Sequence, residues 1–443
     1  MRRLIVSDLH MSIADRLDDF DADDEFVEFI TTYAMGSGPT ELILAGDTIE
    51  FLQVRLSEIN DYDWSEDAAV IRLRAVIQAH PKVFEALRTF VAQPENQLTI
   101  LIGNHDFELH YSAAKQLLYE TLSLAYDDPR LRFGITYEGG GIYIEHGNQF
   151  DEWNRFIHFE GISAPFEVVR GTRVVKDVIN MLEEDSLEVA PLIDNVKPTS
   201  AFFWYLLSLS RLRDPAVRRY VARGLIRLFR SEALPLSYHT KPMLRVREEL
   251  LGAPGQTLER ELALQTLYDA DPELRKVVAA SHGGVEPQIQ LRRRFIGHTA
   301  ALGKTLSRYL YNEGEPTDQA LAQIEDEAKQ QLRLEIRQFR NALQRGMAIR
   351  ASEAAHRHNT VFVCGHSHLA EVVPFNERQT YYNIGTWTLI IQDITTNRYQ
   401  TQRFPFLEVW YPDDSDIPQA QLLVWRNANE KPKPWVSSTE TKE

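Results

Sequence analysis

Five short apolar runs, each stopping in a small knot of Gly, Asp, Asn or His, constrain this chain more than any other feature. Leu4–Val6 leads into Ser7-Asp8-Leu9-His10, and Leu42–Leu44 into Gly46-Asp47. Leu98–Ile102 leads into Gly103-Asn104-His105-Asp106, Ile142–Ile144 into His146-Gly147, and Thr360–Val363 into Gly365-His366-Ser367-His368. Runs this short and this rich in β-branched and aliphatic residues read as buried strands. Between the first three lie stretches with helical spacing, such as Phe26, Ile30 and Tyr33, then Ile71 to Leu87. Strand-helix-strand units predict a largely parallel sheet and an α/β fold. Ligands of such sheets sit at the carboxyl ends of strands, so the five turns are expected to converge on one crevice. The glycines beside them let the backbone turn where each strand stops.

The residue types at those turns point to metal chemistry. Asp8, Asp47, Asn104 and four histidines (His10, His146, His366, His368) form an oxygen and nitrogen ligand set without thiolate. Such a set suits Mn, Fe, Zn or similar divalent ions better than calcium. Asp8, Asp47 and Asn104 alone would also serve as caps of the helices that follow their strands. Capping leaves the histidines unexplained.

The order Asp-x-His, Gly-Asp, Gly-Asn-His-Asp, His and Gly-His-x-His resembles that of the calcineurin-like metallophosphoesterase superfamily, over Met1 to Asp151 and Thr360 to about Phe406. The resemblance implies a layered α/β fold with central β-sheets and two divalent metal ions, Mn first, with Fe, Zn, Ni or Co as alternatives. It implies that Asp8, His10 and His368 hold the first ion, that Asn104, His146 and His366 hold the second, and that Asp47 bridges them. Two ions about 3.5 to 4 Å apart share a hydroxide that is nucleophilic near neutral pH, and they neutralise phosphate oxygens during in-line displacement. His105 is then expected to donate a proton to the leaving oxygen or stabilise the transition state, with Asp106 orienting its ring.

Within the superfamily, Gly46 to Phe51, Gly103 to Phe107 and His146 to Asp151 are similar to the UDP-2,3-diacylglucosamine pyrophosphohydrolase branch, with its Glu, Phe and trailing Asp at like places. The chain departs from that branch at His105, Asn148 and Ser367. A proton-donating His105 favours hydrolysis of a phosphate mono- or diester. The UDP-sugar-lipid pyrophosphohydrolase is the alternative and a nuclease the second one.

From Phe156 to Ala355 strand-like runs give way to Leu, Arg, Glu and Ala at helical spacing, too long a stretch for an unstructured loop. The expected organisation is a discontinuous catalytic domain, 1–155 and 356–426, with an all-helical insertion over 156–355 as a cap or interaction domain. Further strands are read at Glu371–Val373, Thr380–Ile384 and Trp387–Ile391, with Asn383 as a support of the site or a turn residue. A polar tail follows over 427–443.

From Arg211 to Arg230 the insertion carries seven arginines against one acid, Asp214, although the whole chain has a formal charge of -16. On a helix Arg219, Arg223, Arg227 and Arg230 share one face, opposite Val217, Val221, Leu225 and Leu228. Arg219, Arg223 and Arg227 are therefore candidates to contact an anionic substrate. With the run Ala201 to Leu209 before it, this 201–230 region is also a candidate for peripheral contact with the inner membrane face. A solvated face paired with nearby acids is the plainer alternative.

Overall acidity argues against a nucleic-acid partner and for a phosphorylated small molecule or lipid. A single cysteine, Cys364, cannot form an internal disulfide, and it is read as a packed apolar residue. No apolar run reaches a membrane-spanning length, and no signal peptide is evident at Met1 to Ser7. The protein is read as cytoplasmic.

Overall fold

The computed structural model describes residues 1–185, 196–208, 318–393, 398–399, 401–412 and 415–437, with isolated positions between 214 and 227. Its chain divides into two compact units, one of Met1–Phe202 with Glu335–Glu443, the other of Phe203–Leu334. Residues 156–202 and 335–355, which the sequence groups with the helical stretch, thus lie in the first unit.

Two mixed sheets form the centre of that first unit. The first combines β1 (Arg2–Val6), β2 (Thr40–Ala45), β3 (Gln97–Leu101) and β4 (Leu131–Gly134) with the late strands β12 (Pro405–Trp410), β13 (Gln419–Val424) and β14 (Lys433–Pro434). Their order is β14-β13-β12-β1-β2-β3-β4, with β1 to β4 parallel and the late three antiparallel. In the second sheet β5 (Thr136–Gly139), β6 (Ile142–Glu145), β7 (Val361–Cys364), β9 (Thr380–Asn383) and β8 (Glu371–Pro374) run in that order. There β6, β7 and β9 are parallel and the two edges antiparallel.

The strand-helix-strand stretch does give the parallel run β1 to β4, and the late strands extend that sheet antiparallel. β12 opens on a proline and carries Glu408 at its centre, so its run lacks the unbroken apolar signature of a buried parallel strand. Trp387–Ile390, read as part of a strand, is irregular, and the strand there is β10 (Ile391–Asp393), paired with β11 (Arg398–Tyr399). β14 lies within the expected tail and pairs with β13.

Strand alternation explains the layers. Leu4 and Val6 of β1 face one way, with Leu42, Leu44, Leu98 and Ile100, onto helices α1 (Asp23–Glu28), α2 (Glu66–Ala79) and α3 (Pro81–Val91) through Phe26, Leu73 and Phe84. Ile5, Ile43 and Leu101 face the other way and meet Ile142, Ile144, Val361 and Val363 of the second sheet. The far side of that sheet, with Tyr143, Phe362 and Tyr381, is covered by Phe339, Leu343, Met347 and Ala351. These recur every four residues along the helix Asp318–Ser352, so they form one stripe.

Cys364 belongs to that same buried cluster, where burial pushes its thiol far above the usual range and its sulfur meets the Tyr381 hydroxyl. The apolar run that starts at Ala201 forms the helix Phe202–Ser208, and Ala201, Phe202, Trp204, Tyr205, Leu206 and Leu207 are buried. Arg219 lies outside the described residues, as does most of 209–230. Arg223 and Arg227 are helical positions of the second unit. No described helix is long and apolar enough to cross a membrane.

Candidate metal centre

The turns that end β1, β2 and β3 in one sheet meet those that end β6 and β7 in the other, because the two sheets pack face to face with these ends on one side. Backbone bonds lock them together: Asp8 N donates to Gly46 O at 3.1 Å, His10 N to Asp47 O at 2.9 Å, and Gly365 N to His146 O at 2.9 Å. Close approach accounts for two glycines. A Cβ at Gly103 would overlap Asp47 Oδ1, and one at Gly365 would overlap Ser7 Oγ and Asp8 Oδ2.

Five of the side chains gathered here sit on left-handed backbone: Asp8, His10, Asp47, His366 and His368 have φ of 54°, 51°, 49°, 63° and 58°. Positive φ is uncommon outside glycine and costs on the order of 1 kcal/mol or more per residue. Its concentration at five carboxylate and imidazole residues marks a site where conformational energy is spent on aiming side chains.

Three overlapping groups of buried carboxylate and imidazole atoms result, each with its ligand atoms within 4.8 Å of one another: Asp8, His10 and His368; His10, Asp47 and His105; Asp47, His146 and His366. His10 and Asp47 each belong to two of them. Asn104 is buried in the same turn as His105. All seven expected ligands and His105 are therefore brought together.

Hydrogen bonds fix which ring nitrogen faces inward. His146 Nδ1 donates to Ala45 O at 3.0 Å, so Nε2 carries the lone pair and lies 3.0 Å from Asp47 Oδ2 without hydrogen-bond geometry. His366 Nε2 is held by Asp151 Oδ2 at 3.0 Å, which leaves Nδ1 unpartnered. His10 Nδ1 is held by Glu50 Oε2 at 2.7 Å, and its Nε2 faces His368 Nε2 at 3.1 Å. Asp8 Oδ1, Asp47 Oδ2 and Asn104 Oδ1 likewise lack partners although buried. Buried acceptors are rarely left unpaired, since each costs about 1–3 kcal/mol. Several turned toward one another demand positive charge, and the donor set of carboxylate, amide and imidazole fits a divalent transition ion.

The electrostatics agree. Burial alone would raise Asp8 and Asp47, but His146 and the other imidazoles hold both far below the usual carboxylate range. Burial would lower His10, yet Asp8, Glu50 and Asp47 raise it to about 10. The protein pulls a cation onto this spot even when the only one to hand is a proton.

Further buried residues hold these side chains in place. Glu50 Oε2 accepts from Nδ1 of both His10 and His105, at 2.7 and 2.5 Å. The expectation for Asp106 is corrected accordingly: its two oxygens accept the backbone N–H of Gly103 at 2.6 Å and of Thr48 at 2.8 Å, and the carboxylate that orients His105 is Glu50. Asp106 fixes the turns. It can reach those two amides because it follows a tight turn, whereas Glu50 has the extra methylene and the β2 loop behind it. Asp151 aligns His366, and Asn154 joins it to Asn104 through bonds of 2.7 and 3.4 Å. Asn383 donates to Gly365 O at 2.7 Å and so supports the last turn. Thr386 Oγ1 and Trp387 N both donate to Asp8 O. Glu50 and Asp151 could be found in the sequence only as the trailing acids of their blocks.

No curated protein matches the chain. The family model described as calcineurin-like phosphoesterase matches residues 1–199, a stretch that contains Asp8, His10, Asp47, Asn104, His105 and His146 and stops short of His366 and His368. Two mixed sheets between helices, with a buried aspartate and histidine centre at their joined strand ends, make an α/β fold that is similar over residues 1–199 to the calcineurin-like phosphoesterases, a family of hydrolases acting on phosphoesters.

Proposed function

We propose that the protein hydrolyses a phosphate mono- or diester at a two-metal centre, with Mn as the ion of first choice. The observation that carries this reading is the set of buried, unpartnered atoms on Asp8, Asp47, His146 and His366, which fall in overlapping groups, with Asn104 Oδ1 buried and unpartnered as well. Asp8, His10 and His368 would hold one ion, Asn104, His146 and His366 the other, and Asp47 would belong to both. Bound divalent ions supply Lewis-acid polarisation of the phosphate and a water nucleophile at neutral pH.

The chain's own groups do the rest. Glu50 anchors Nδ1 of His105, so Nε2 is the nitrogen that can pass a proton to the leaving oxygen. Asp151, Ala45 O and Glu50 set the tautomers of His366, His146 and His10, and thereby which nitrogen of each ring is a ligand. Asp106 and Asn383 hold the turns so that these rings need no rearrangement when substrate arrives.

Hydrolysis of bis(p-nitrophenyl) phosphate beside p-nitrophenyl phosphate, in Mn and with Asp47→Asn as the blank, tests the reading. Turnover of either ester that vanishes in the variant supports it, and the preferred ester assigns the class. Absence of turnover on both, together with no bound metal by elemental analysis, refutes it. Lipid-linked nucleoside diphosphates, split at the pyrophosphate into a nucleoside monophosphate and a lipid phosphate, extend the same assay to the pyrophosphohydrolase alternative.

A further inference from the structure

One side chain lies behind two ligand atoms of the centre and bonds to neither. Asn154 is buried in the loop that follows β6. Its Oδ1 accepts Asn104 Nδ2 at 3.4 Å, and its Nδ2 donates to Asp151 Oδ2 at 2.7 Å. An amide has one donating and one accepting end, so a partner for Nδ2 decides where Oδ1 points. In Asn104 this leaves Oδ1 enclosed and unpartnered. Asp151 Oδ2 in turn holds His366 Nε2 at 3.0 Å and leaves Nδ1 of that ring enclosed and unpartnered. Asn104 Oδ1 and His366 Nδ1 thus have one support in common.

Asn154 is itself seated by the helical stretch that follows it. Its Nδ2 also donates to Thr199 Oγ1 at 3.3 Å, and Gly171 N, in the short helix Arg170–Val174, donates to Trp153 O at 2.8 Å. Gly171 packs so closely that a Cβ there would overlap Asn154 Oδ1, and the three atoms nearest to it all belong to the Asn154 carboxamide. The other ligand group is supported differently. His10 is held by Glu50, Asp8 Oδ2 accepts His366 N, and among the described residues Asn154 has no bond to Asp8, His10 or His368.

We propose that Asn154 is a positioning residue for one ion of the pair, the one that Asn104, His146 and His366 would hold, and that the helix Arg170–Val174 keeps it in place through Gly171. The proposal rests on the two-metal reading above. Without the Asn154 carboxamide the Asn104 amide is free to turn its NH2 inward, where a donor repels a cation, and Asp151 Oδ2 loses one of the two donors that fix it. That ion's site loses an aimed oxygen and the firm placement of a ring nitrogen. Asp8, His10 and His368 keep their supports.

Titration of the full-length protein with Mn, starting from the metal-free state and followed by the EPR signal of the unbound ion, tests this. Asn154→Ala should weaken one of the two ions about 10- to 100-fold, the scale for partners of metal-ligating groups, and leave the other within about twofold of wild type. Gly171→Ala, a change that favours a helix, should weaken the same ion by pushing on the carboxamide. The double variant should then be no weaker than Asn154→Ala alone. Should Asn154→Ala lose its cooperative melt, Asn154→Ser is read by the same titration. Equal weakening of both ions, or of neither, in a folded variant overturns the role of Asn154 and leaves the two-metal reading standing. Losses that add in full in the double variant overturn the tie to Gly171. A wild-type protein that binds no Mn, or a single ion, overturns the two-metal reading and the proposal with it.

Discussion

One oxygen of Glu50 holds the ring of His105, with Oε2 2.5 Å from Nδ1, and the same oxygen holds His10 Nδ1 at 2.7 Å. A ligand of the metal centre and the candidate proton donor therefore share a single anchor, and burial of Glu50 leaves no solvent to replace it. Its carboxylate stays charged: burial would raise it, but His105 and His10 lower it to about 2.

Glu50→Gln should therefore damage two functions at once. An amide offers one acceptor oxygen and a donating NH2, so it cannot accept from both rings with the strength of a carboxylate. We expect turnover to drop about 10- to 100-fold and Mn affinity to fall with it, the usual scale for partners of metal-ligating histidines. Steady-state kinetics across a Mn titration reads both. A variant with unchanged Mn dependence would show that the shared anchor has no role in metal binding.

Asp47 and His105 should separate cleanly. Asp47 Oδ2 is unpartnered and near both His146 and His10, at 3.0 and 3.9 Å, so Asp47→Asn should lose metal and abolish turnover. His105 also falls within one of the three groups, but Glu50 occupies its Nδ1, and loss of the ring removes no carboxylate. His105→Ala should slow hydrolysis by roughly 10²- to 10⁴-fold, the range for a positioned acid or base, with metal content retained. Elemental analysis of both purified variants decides, and equal metal loss would refute the division of roles.

The five strand-and-turn blocks were legible in the sequence because a buried parallel strand is nearly all apolar and a metal ligand is not, so each boundary is sharp. Leu4–Val6 before Asp8 and Val361–Val363 before His366 are such boundaries. The antiparallel strands β12 to β14 were not legible: Pro405, Glu408 and Gln419 break the apolar pattern where one strand face or edge meets solvent. The residues that meet at the site could be named, yet most of the side chains that hold them could not. Glu50 lies three residues from Asp47 and Asp106 directly follows His105, so proximity in sequence favours Asp106, and only the folded turns show that its oxygens are taken by Gly103 and Thr48 amides.

Gly365→Ala is predicted to disable the site without unfolding the sheets. The new methyl would overlap Ser7 Oγ and Asp8 Oδ2, neither of which can withdraw, because Ser7 bonds Ala45 O at 3.1 Å and Asp8 bonds His366 N. Displacing Asp8 by a fraction of an ångström misplaces one ion's ligands, and errors of about 1 Å cost on the order of 10²-fold in rate. A circular dichroism melt near that of wild type, with Mn binding weakened and turnover lost, is the expected pair of results. Normal turnover would mean that the turn relaxes in a way the packing does not suggest.

Away from the metal centre, His80 should make stability fall as pH rises. It lies between two helices, with Nε2 2.9 Å from Asp18 Oδ2 and Nδ1 2.7 Å from Asp23 Oδ1, and Phe20 packs on its ring. Asp18 Oδ2 also accepts the N–H of Ser12 and Ala14, so this pair pins the loop that leaves His10. Burial pulls His80 down, but the Asp18 and Asp23 carboxylates outweigh it and raise it to about 9. In the unfolded chain it titrates near about 6.5. Below that pH both states carry the proton and the full stabilisation is present; between there and about 9 only the folded state holds it, and the contribution drains away. His80→Gln should thus cost about 1.5–3 kcal/mol near pH 6, the scale of a charged hydrogen bond, and much less above pH 9.5. Urea melts of wild type and variant at the two pH values measure the difference, and a cost that is the same at both would show that His80 acts by packing rather than by charge.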